Sequence, residues 1–228
     1  YNEPEPGLLS GYTDANLTPI SSMPACTGTS PFHNCRPSGY TSGRLVLDAP
    51  ANSNQTYYWD NCIVNNPIQI GHSGIAVPGL SVYFSNCQVM INEDDGGYGT
   101  VGNAAGSGMH YIHDLFDGSR APSTTHPLSF VAGTDNFVYY SEFSQNTDQA
   151  VLDAPVDFEW NYMHNSRCDK STNVACVHTD GGPEVYGGTS SAQHPIVIAN
   201  NYFSCLCDSS GGPANIAPYG GGSVHSVW

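Results

Sequence analysis

The sequence predicts an all-β fold, a right-handed parallel β-helix (solenoid) with a loop-rich N-terminal arm and cap, and three observations lead to it. First, residues 57–64 and 82–89 carry nearly the same phrase, in which alternating apolar residues are followed by Asn-Cys. Second, looser copies recur at intervals of 25, 27, 27, 20 and 40 residues, and their closing apolar residues are Val64, Val89, Phe116, Phe143, Met163 and Phe203. Third, the copies have the two-residue period of strands and no helical period. Such self-similarity indicates coils that bury one another's apolar faces.

Each repeat predicts a strand, a sharp bend and a second strand. Two apolar positions lie two residues apart, and a third inward position follows five residues later, which an unbroken strand does not allow. Asn61 and Asn86 occupy the bend, where Asn tolerates turn geometry and bonds nearby backbone. Equivalent residues of stacked coils lie about 4.8 Å apart. We therefore expect an Asn ladder at the bend and a disulfide between Cys62 and Cys87 beside it.

Residues 1–43 are predicted to form the arm and cap, because six prolines interrupt any regular element there. A disulfide between Cys26 and Cys35 is expected to staple this segment. The coils of the parallel β-helix are predicted to occupy residues 44–228. Residues 224–228 have the pattern of another opening strand, so we expect the β-helix to continue beyond Trp228.

The cysteine count indicates the redox environment. Eight cysteines are an even number, high for a cytosolic protein of this size, and they favour an oxidising compartment. Cys168 and Cys176 bracket a short loop and are predicted to form a third disulfide. The pairing of Cys205 and Cys207 stays open.

The charge balance argues against two classes of partner. The net charge of −15 results from only five Lys plus Arg residues against 20 acids. Nucleic acid binding requires basic patches, and adhesion to anionic membrane requires them too. No apolar run approaches the length of a membrane span. Neither nucleic acid nor membrane insertion is therefore expected.

The alternation also predicts which side chains point out of the β-helix. On the first strand of each coil, the outward positions form two adjacent columns, one of Tyr58, Tyr83, His110, Phe137 and Asp157, the other of Asp60, Ser85, Ile112, Tyr139 and Glu159. Aromatic rings in a column on a rigid sheet suit stacking against sugar rings. The candidate substrate-binding residues are therefore Tyr58, Tyr83, His110, Phe137 and Tyr139. The alternative is that a long loop or a neighbouring subunit covers this face.

Two acids stand at the end of these columns. Asp157 and Glu159 project from one strand two residues apart, with roughly 6.5–7 Å between their α-carbons. Such a pair suits glycoside hydrolysis, in which one carboxyl acts as acid and the other as base or nucleophile. The alternative is a solvated pair of acids on an exposed strand.

Three segments resemble pectate-lyase-like right-handed parallel β-helix proteins, in particular those of phage tails and of secreted actinobacterial surface proteins. They are the Asn-Cys phrase, the stretch Val-His-Thr-Asp-Gly-Gly at 177–182, and the strand 196–203. Members usually place a long apolar residue after the Gly, where this chain has Gly182 and Pro183. The resemblance implies a polysaccharide partner, a location outside the cell, on its surface or on a virion, and a homotrimer or filament and tail neighbours.

The same resemblance points to a second set of catalytic candidates, His178, Asp180 and Asp148. Asp148 lies 15 residues before Met163, as coils of the family place the acid of that strand. If Asp148 stacks beneath Asp180, carboxylates about 5 Å apart raise one pKa and favour acid–base chemistry or cation binding. His178 then serves as a base near neutral pH. The alternative is that the two Asp residues bond turn amides.

No resident cofactor or metal site is predicted, and calcium at residues 94–97 is the one open alternative. His110 and His113 lie three apart, on opposite faces of a strand, which argues against a shared metal. Lyases of the pectate-lyase-like superfamily use a Lys or Arg as the base, together with bound calcium. Neither Lys nor Arg occurs in the outward columns.

These observations lead to three hypotheses of function. The first is an extracellular or virion-associated β-helix protein that recognises polysaccharide, as the resemblance implies. The second is a secreted polysaccharide-cleaving enzyme, a glycoside hydrolase or a lyase. The third is a purely structural fibre or tail component. Since folds host many functions, the site and not the fold must decide among them.

Overall fold

A computed structural model of the chain describes residues 10–38, 40, 46–47, 50–65, 68–70, 77–90, 107–120, 128–131, 133–146, 150–164, 183–186, 191–204, 217–218 and 224–227. Regular structure in these ranges is almost entirely β, with short 3-10 helices at Ile20–Ser22 and Pro50–Asn52. No helix in the described ranges is long and apolar enough to cross a membrane.

The strands stack in parallel as a right-handed β-helix, which confirms the predicted fold class. The first sheet consists of Phe32–His33, Thr56–Asp60, Ser81–Ser85, Gly108–Ile112, Phe137–Tyr139, Val156–Glu159, Ile196–Ala199 and Val224–Val227. The second sheet consists of Thr18–Pro19, Cys62–Asn65, Gln88–Met90, Leu115–Asp117, Glu142–Ser144, Tyr162–His164 and Tyr202–Ser204. The third sheet consists of Ser129–Phe130, Ala150–Leu152, Pro183–Val185 and Ala217–Pro218. A small sheet pairs Val46–Leu47 with Gln69–Ile70.

The core is a set of apolar columns inside the coils. The closing residues of the repeats lie opposite one another along the second sheet, in the order Val64, Val89, Phe116, Phe143, Met163 and Phe203. Inside the first sheet the rings of Trp59, Phe84 and Tyr111 stack at centroid distances of 5.1 and 5.0 Å. Each large apolar side chain buried in this way contributes roughly 1.5–3 kcal/mol.

A bend in the left-handed region joins the first sheet to the second in successive coils. Its φ values lie between 51° and 58°, at Asn61, Asn86, His113, Tyr140, Trp160 and Asn200. The Asn86 amide donates to Asn61 Oδ1 at 2.8 Å, so the predicted Asn ladder is present. Three of the six bends carry a ring in place of Asn.

The residue after each bend forms a second ladder, which tightens the corner. The side chain of this residue accepts a hydrogen bond from the backbone N–H of the equivalent residue one coil earlier. The accepting residues are Cys87, Asp114, Ser141, Asn161 and Asn201. These side-chain acceptors satisfy amides at the corner, where buried N–H groups without partners are costly. A polar or sulfur-bearing side chain is needed at this position for that reason.

The N-terminal segment adds one strand to each of the two main sheets. The residues before these strands contact the bends and the second sheet. Thr18–Pro19 pairs with Cys62–Ile63, and Phe32–His33 pairs with Tyr57–Tyr58. Thr13 exchanges two hydrogen bonds with the Asn86 amide. The Ser10 carbonyl contacts Nδ1 of His113, one coil beyond Asn86. The Ser10 hydroxyl donates to Glu142 Oε2 at 3.4 Å. Residues 10–18 therefore form a strap across successive coils.

Two of the predicted disulfides are present in the structure. Cys26 joins Cys35 across a separation of 9 residues, and Cys62 joins Cys87 across 25. The second bond links neighbouring coils at the corner, as the repeat predicted. The predicted bond between Cys168 and Cys176 lies outside the described residues.

Candidate functional site

The outward columns of the first sheet have the predicted register. Tyr58, Tyr83, His110, Phe137 and Asp157 lie opposite one another on successive strands. The Tyr58 and Tyr83 rings stack at 4.7 Å, and those of Tyr83 and His110 at 4.1 Å. His33 extends the stack one coil further, with its ring 4.8 Å from that of Tyr58. The sequence had placed that residue in the arm.

His110 differs from its column neighbours, because its ring is buried. The residue is 1% exposed, whereas Tyr58, Tyr83, Phe137 and Tyr139 are half-buried. Its Nδ1 lies 3.0 Å from the Val82 carbonyl, and its Nε2 lies 3.3 Å from Asp135 Oδ2. A side chain at Gly108 would collide with this ring, so the glycine makes room for it. The predicted contact of His110 with substrate is therefore corrected: the ring supports its neighbours and offers no face to a ligand.

Burial also sets the charge of His110. Removal from water lowers its pKa, and the nearby Asp135 carboxylate only partly opposes this. The His110 imidazole, which lies within the aromatic column, is therefore neutral at neutral pH.

Tyr139 connects the second column to the acids. Its ring stacks on Phe137 at 4.7 Å, and its hydroxyl donates to Asp157 Oδ2 at 3.2 Å. Burial and the Asp157 carboxylate together raise the pKa of Tyr139 to about 12. The phenol therefore stays protonated and keeps the Asp157 carboxylate oriented along the sheet.

Asp157 and Glu159 face the same side of the strand Val156–Glu159, as predicted, and both are half-buried. Burial first and the Asp157 charge second raise the pKa of Glu159. Asp157 differs from Glu159, because the Tyr139 hydroxyl bonds its carboxylate. The two acids thus have unlike environments.

The bend beside these acids carries an exposed aromatic pair that the sequence reasoning missed. The rings of Tyr140 and Trp160 stack at 5.3 Å with 12° between their planes, and they are 37% and 42% exposed. The His113 ring stacks on Tyr140 at 5.4 Å, and Tyr139 meets Trp160 edge-on at 6.0 Å. The signal in the sequence was an aromatic residue at the bend position, where other coils have Asn.

A cleft opens at the start of the strands that carry Phe137 and Asp157. Its volume is about 230 Å³, and its walls include Asp135, Asp157, Gln193 and His194. Residues 193–195, before the strand Ile196–Ala199, form the far wall. The Asp157 residue therefore belongs both to the outward column and to the cleft.

Other predicted site residues lie outside the described residues. These are His178, Asp180 and Asp148, and with them the calcium alternative at residues 94–97. In the described part of the chain, no group of three or more His, Cys, Asp or Glu side chains is arranged to hold a metal.

Comparisons with known proteins return no family model, no curated protein and no solved structure that matches this chain.

Proposed function

We propose that this protein binds polysaccharide on the outer face of its first sheet, as an extracellular or virion-associated β-helix. The observation that carries the proposal is the stacked and exposed pair Tyr140 and Trp160, which adjoins the half-buried rings of Phe137 and Tyr139. Flat aromatic faces that lie beside polar groups are the usual surface on which a sugar ring stacks.

The backbone at this pair strengthens the proposal. Tyr140 and Trp160 have φ values of 51° and 54°, in the left-handed region. Bulky side chains are disfavoured there by roughly 1 kcal/mol or more, whereas Asn fills the same bend at Asn61, Asn86 and Asn200. Two rings that are both strained and exposed stabilise the fold poorly, so a role in binding explains them better than packing does.

The proposed location follows from the same chemistry. Two disulfides fix the arm and a pair of coils, and such bonds persist in oxidising surroundings. A rigid stack of parallel coils presents its columns in fixed register to a long repeating ligand. A homotrimer or tail neighbours are part of this proposal through the resemblance to phage tail proteins.

Retention on a panel of immobilised bacterial and plant polysaccharides tests the proposal. We expect the protein to be retained by at least one glycan, and the double variant Tyr140→Asn/Trp160→Asn to elute early. The control is Tyr186→Asn, which removes an exposed ring that follows a strand of the third sheet. Retention unchanged in the double variant contradicts the proposed face. No retention of the parent protein by any glycan favours the purely structural hypothesis.

Glycoside hydrolysis is a second candidate function, favoured by the unlike environments of Glu159 and Asp157. Glu159, whose pKa is raised, donates a proton to the glycosidic oxygen as the bond from that oxygen to the anomeric carbon breaks. Asp157, held by Tyr139, either attacks the anomeric carbon or takes a proton from the attacking water.

New reducing ends and the absorbance of unsaturated sugars, recorded together, test this second candidate. Reducing ends without unsaturated product, lost in Glu159→Gln, support hydrolysis at the described site. Unsaturated product indicates a lyase. Activity that survives Glu159→Gln but is lost in Asp180→Asn moves the chemistry to the second set of candidates. No product from any glycan leaves a binding protein.

A further inference from the structure

We propose that the site selects its glycan by charge, and that its ligand is a polysaccharide of amino sugars with protonated amines. This inference rests on the proposed function and adds the substrate class. The reason is the combination of aromatic rings with the carboxylates around Tyr139, whose hydroxyl donates to Asp157 and whose ring meets Trp160 edge-on.

Three carboxylates lie near enough to the Tyr139 hydroxyl for each to raise its pKa. Asp157 lines the cleft and the column, and Asp135, whose side chain is 77% exposed, forms another wall of the cleft. Glu159 lies opposite Tyr139 on the neighbouring strand, next to the Trp160 bend. Beside the Tyr139 ring, an ammonium group would have Asp157 and Glu159 as carboxylate partners.

The aromatic pair favours the same ligand. The faces of Trp160 and Tyr140 attract cations as well as the C–H face of a sugar ring. An amino sugar presents both features on one residue, an apolar ring face and an ammonium at its edge. A neutral sugar uses only the first of them.

Polyuronates are disfavoured by the same groups. A uronate carboxylate placed on the Trp160 ring would approach Glu159, the residue before Trp160, and like charges at short range repel. The described part of the chain contains two Lys or Arg residues, Arg36 and Arg120, and neither belongs to the outward columns. Arg36 instead donates to the Ser21 carbonyl in the N-terminal segment. The cleft does contain one histidine, His194.

A matched set of oligosaccharides tests the inference by calorimetric titration. The probes are hexamers of β-1,4-linked glucosamine, the same hexamer fully N-acetylated, and a hexamer of galacturonate, at a pH slightly below neutral. We expect the glucosamine hexamer to bind about fivefold more tightly than its acetylated form, as one half-exposed ion pair allows. We expect no measurable binding of the galacturonate hexamer.

Two variants of equal charge separate a local effect from the overall negative charge. Asp157→Asn should abolish the preference for the amino hexamer over the acetylated hexamer. Asp60→Asn, which removes a charge from the second column four coils away at about 19 Å, should keep the preference, because salt screens charges beyond about 8–10 Å.

The outcomes separate this inference from the proposed function. Equal binding of the amino and acetylated hexamers, or a preference that survives Asp157→Asn, overturns the inference and leaves polysaccharide recognition intact. Tighter binding of galacturonate also overturns it. Absence of binding to all three hexamers and to every polysaccharide of the immobilised panel overturns both.

Discussion

At the scale of single residues, the bend position explains the site. Asn in this position accepts the left-handed backbone and bonds its neighbours, as the Asn61–Asn86 pair does. Tyr140 and Trp160 lack the amide side chain that makes Asn suitable there, and they expose their rings next to the acids. We interpret the substitution of rings for Asn as the step that turns a structural bend into a ligand surface.

The strain at Trp160 predicts how two substitutions differ. Trp160→Asn loses the stacking with Tyr140, worth about 0.5–1.5 kcal/mol, but relieves left-handed strain of similar size, so its free energy of unfolding should stay within about 1 kcal/mol of the parent value. Trp160→Ala loses the same contact and keeps the strain, so it should be less stable than the Asn variant by roughly 1 kcal/mol. Urea denaturation measures both. A Trp160→Ala protein as stable as the Asn variant would contradict the role assigned to the bend.

At the scale of the corner, the ladder of side-chain acceptors holds one ionisable group. Asp114 is fully buried, and its Oδ1 accepts the Cys87 N–H at 2.7 Å while Oδ2 accepts the Ile112 N–H at 2.9 Å. Burial raises the pKa of this carboxyl well above its usual range, and Asp60 adds to the effect. At the equivalent position Asn161 serves without a charge.

This difference predicts a pH dependence of stability. An acid whose pKa is raised in the folded state favours folding most when protonated, so its contribution is complete below the unfolded pKa of about 4 and declines as pH rises through the folded value. Asp114→Asn removes this pH-dependent loss of stability, because the amide does not titrate. The unfolding free energy of the variant minus that of the parent should therefore increase from about pH 4 to pH 7, by about 1.4 kcal/mol for each unit of the raised pKa. A constant difference across this range would show that Asp114 titrates normally.

The strap depends on one bend residue, Asn86. Its amide accepts the Thr13 N–H at 2.7 Å and donates to the Thr13 carbonyl and to Asn61. Asn86→Gly loses these hydrogen bonds but accepts the left-handed backbone without strain. Asn86→Ala loses the same bonds and also strains the left-handed backbone. We expect destabilisation of about 1 kcal/mol for the Gly variant and about 2 kcal/mol for the Ala variant.

Hydrogen exchange supplies the control for this pair. The Thr13 amide should exchange faster in both variants to the same extent, because each removes its acceptor. Unchanged protection of Thr13 in either variant would contradict the proposed attachment of the strap.

At the scale of the whole molecule, the sequence repeat predicted the fold, both outward columns and the inter-coil disulfide. A two-residue period fixes which face each strand side chain takes, and stacking then fixes the register of Val64 through Phe203. The period ends at the bend, so it carried no information about the exposed rings of Tyr140 and Trp160. The burial of His110 depends on Gly108 and Asp135, which lie outside the pattern that placed it. The cleft could not be predicted either, because residues 193–195 lie far from Asp157 in the sequence and meet it only in the folded chain.

The disulfide between coils predicts a global effect on stability. Loss of the Cys62–Cys87 bond, which closes a separation of 25 residues, should lower the free energy of unfolding by about 3 kcal/mol when both cysteines are replaced by Ser, which keeps a side-chain acceptor at the corner. The matched control replaces Cys26 and Cys35, which close a separation of 9, and should cost roughly 1 kcal/mol less on loop-length grounds. Thermal denaturation under non-reducing conditions measures both. A larger loss for the shorter loop would contradict this interpretation.

Glycan recognition by the bend pair has a direct optical signal, because Trp160 is 42% exposed while Trp59 is 1% exposed. The measurement to make is the tryptophan emission of the protein during titration with the glycan that retains it, compared with that of Trp160→Asn. If a sugar ring stacks on Trp160, the parent emission should shift to shorter wavelength with saturation, and the variant should show no such shift. A saturable shift of equal size in Trp160→Asn, or glycan binding without any change in the parent emission, would place the ligand elsewhere and contradict recognition at this face.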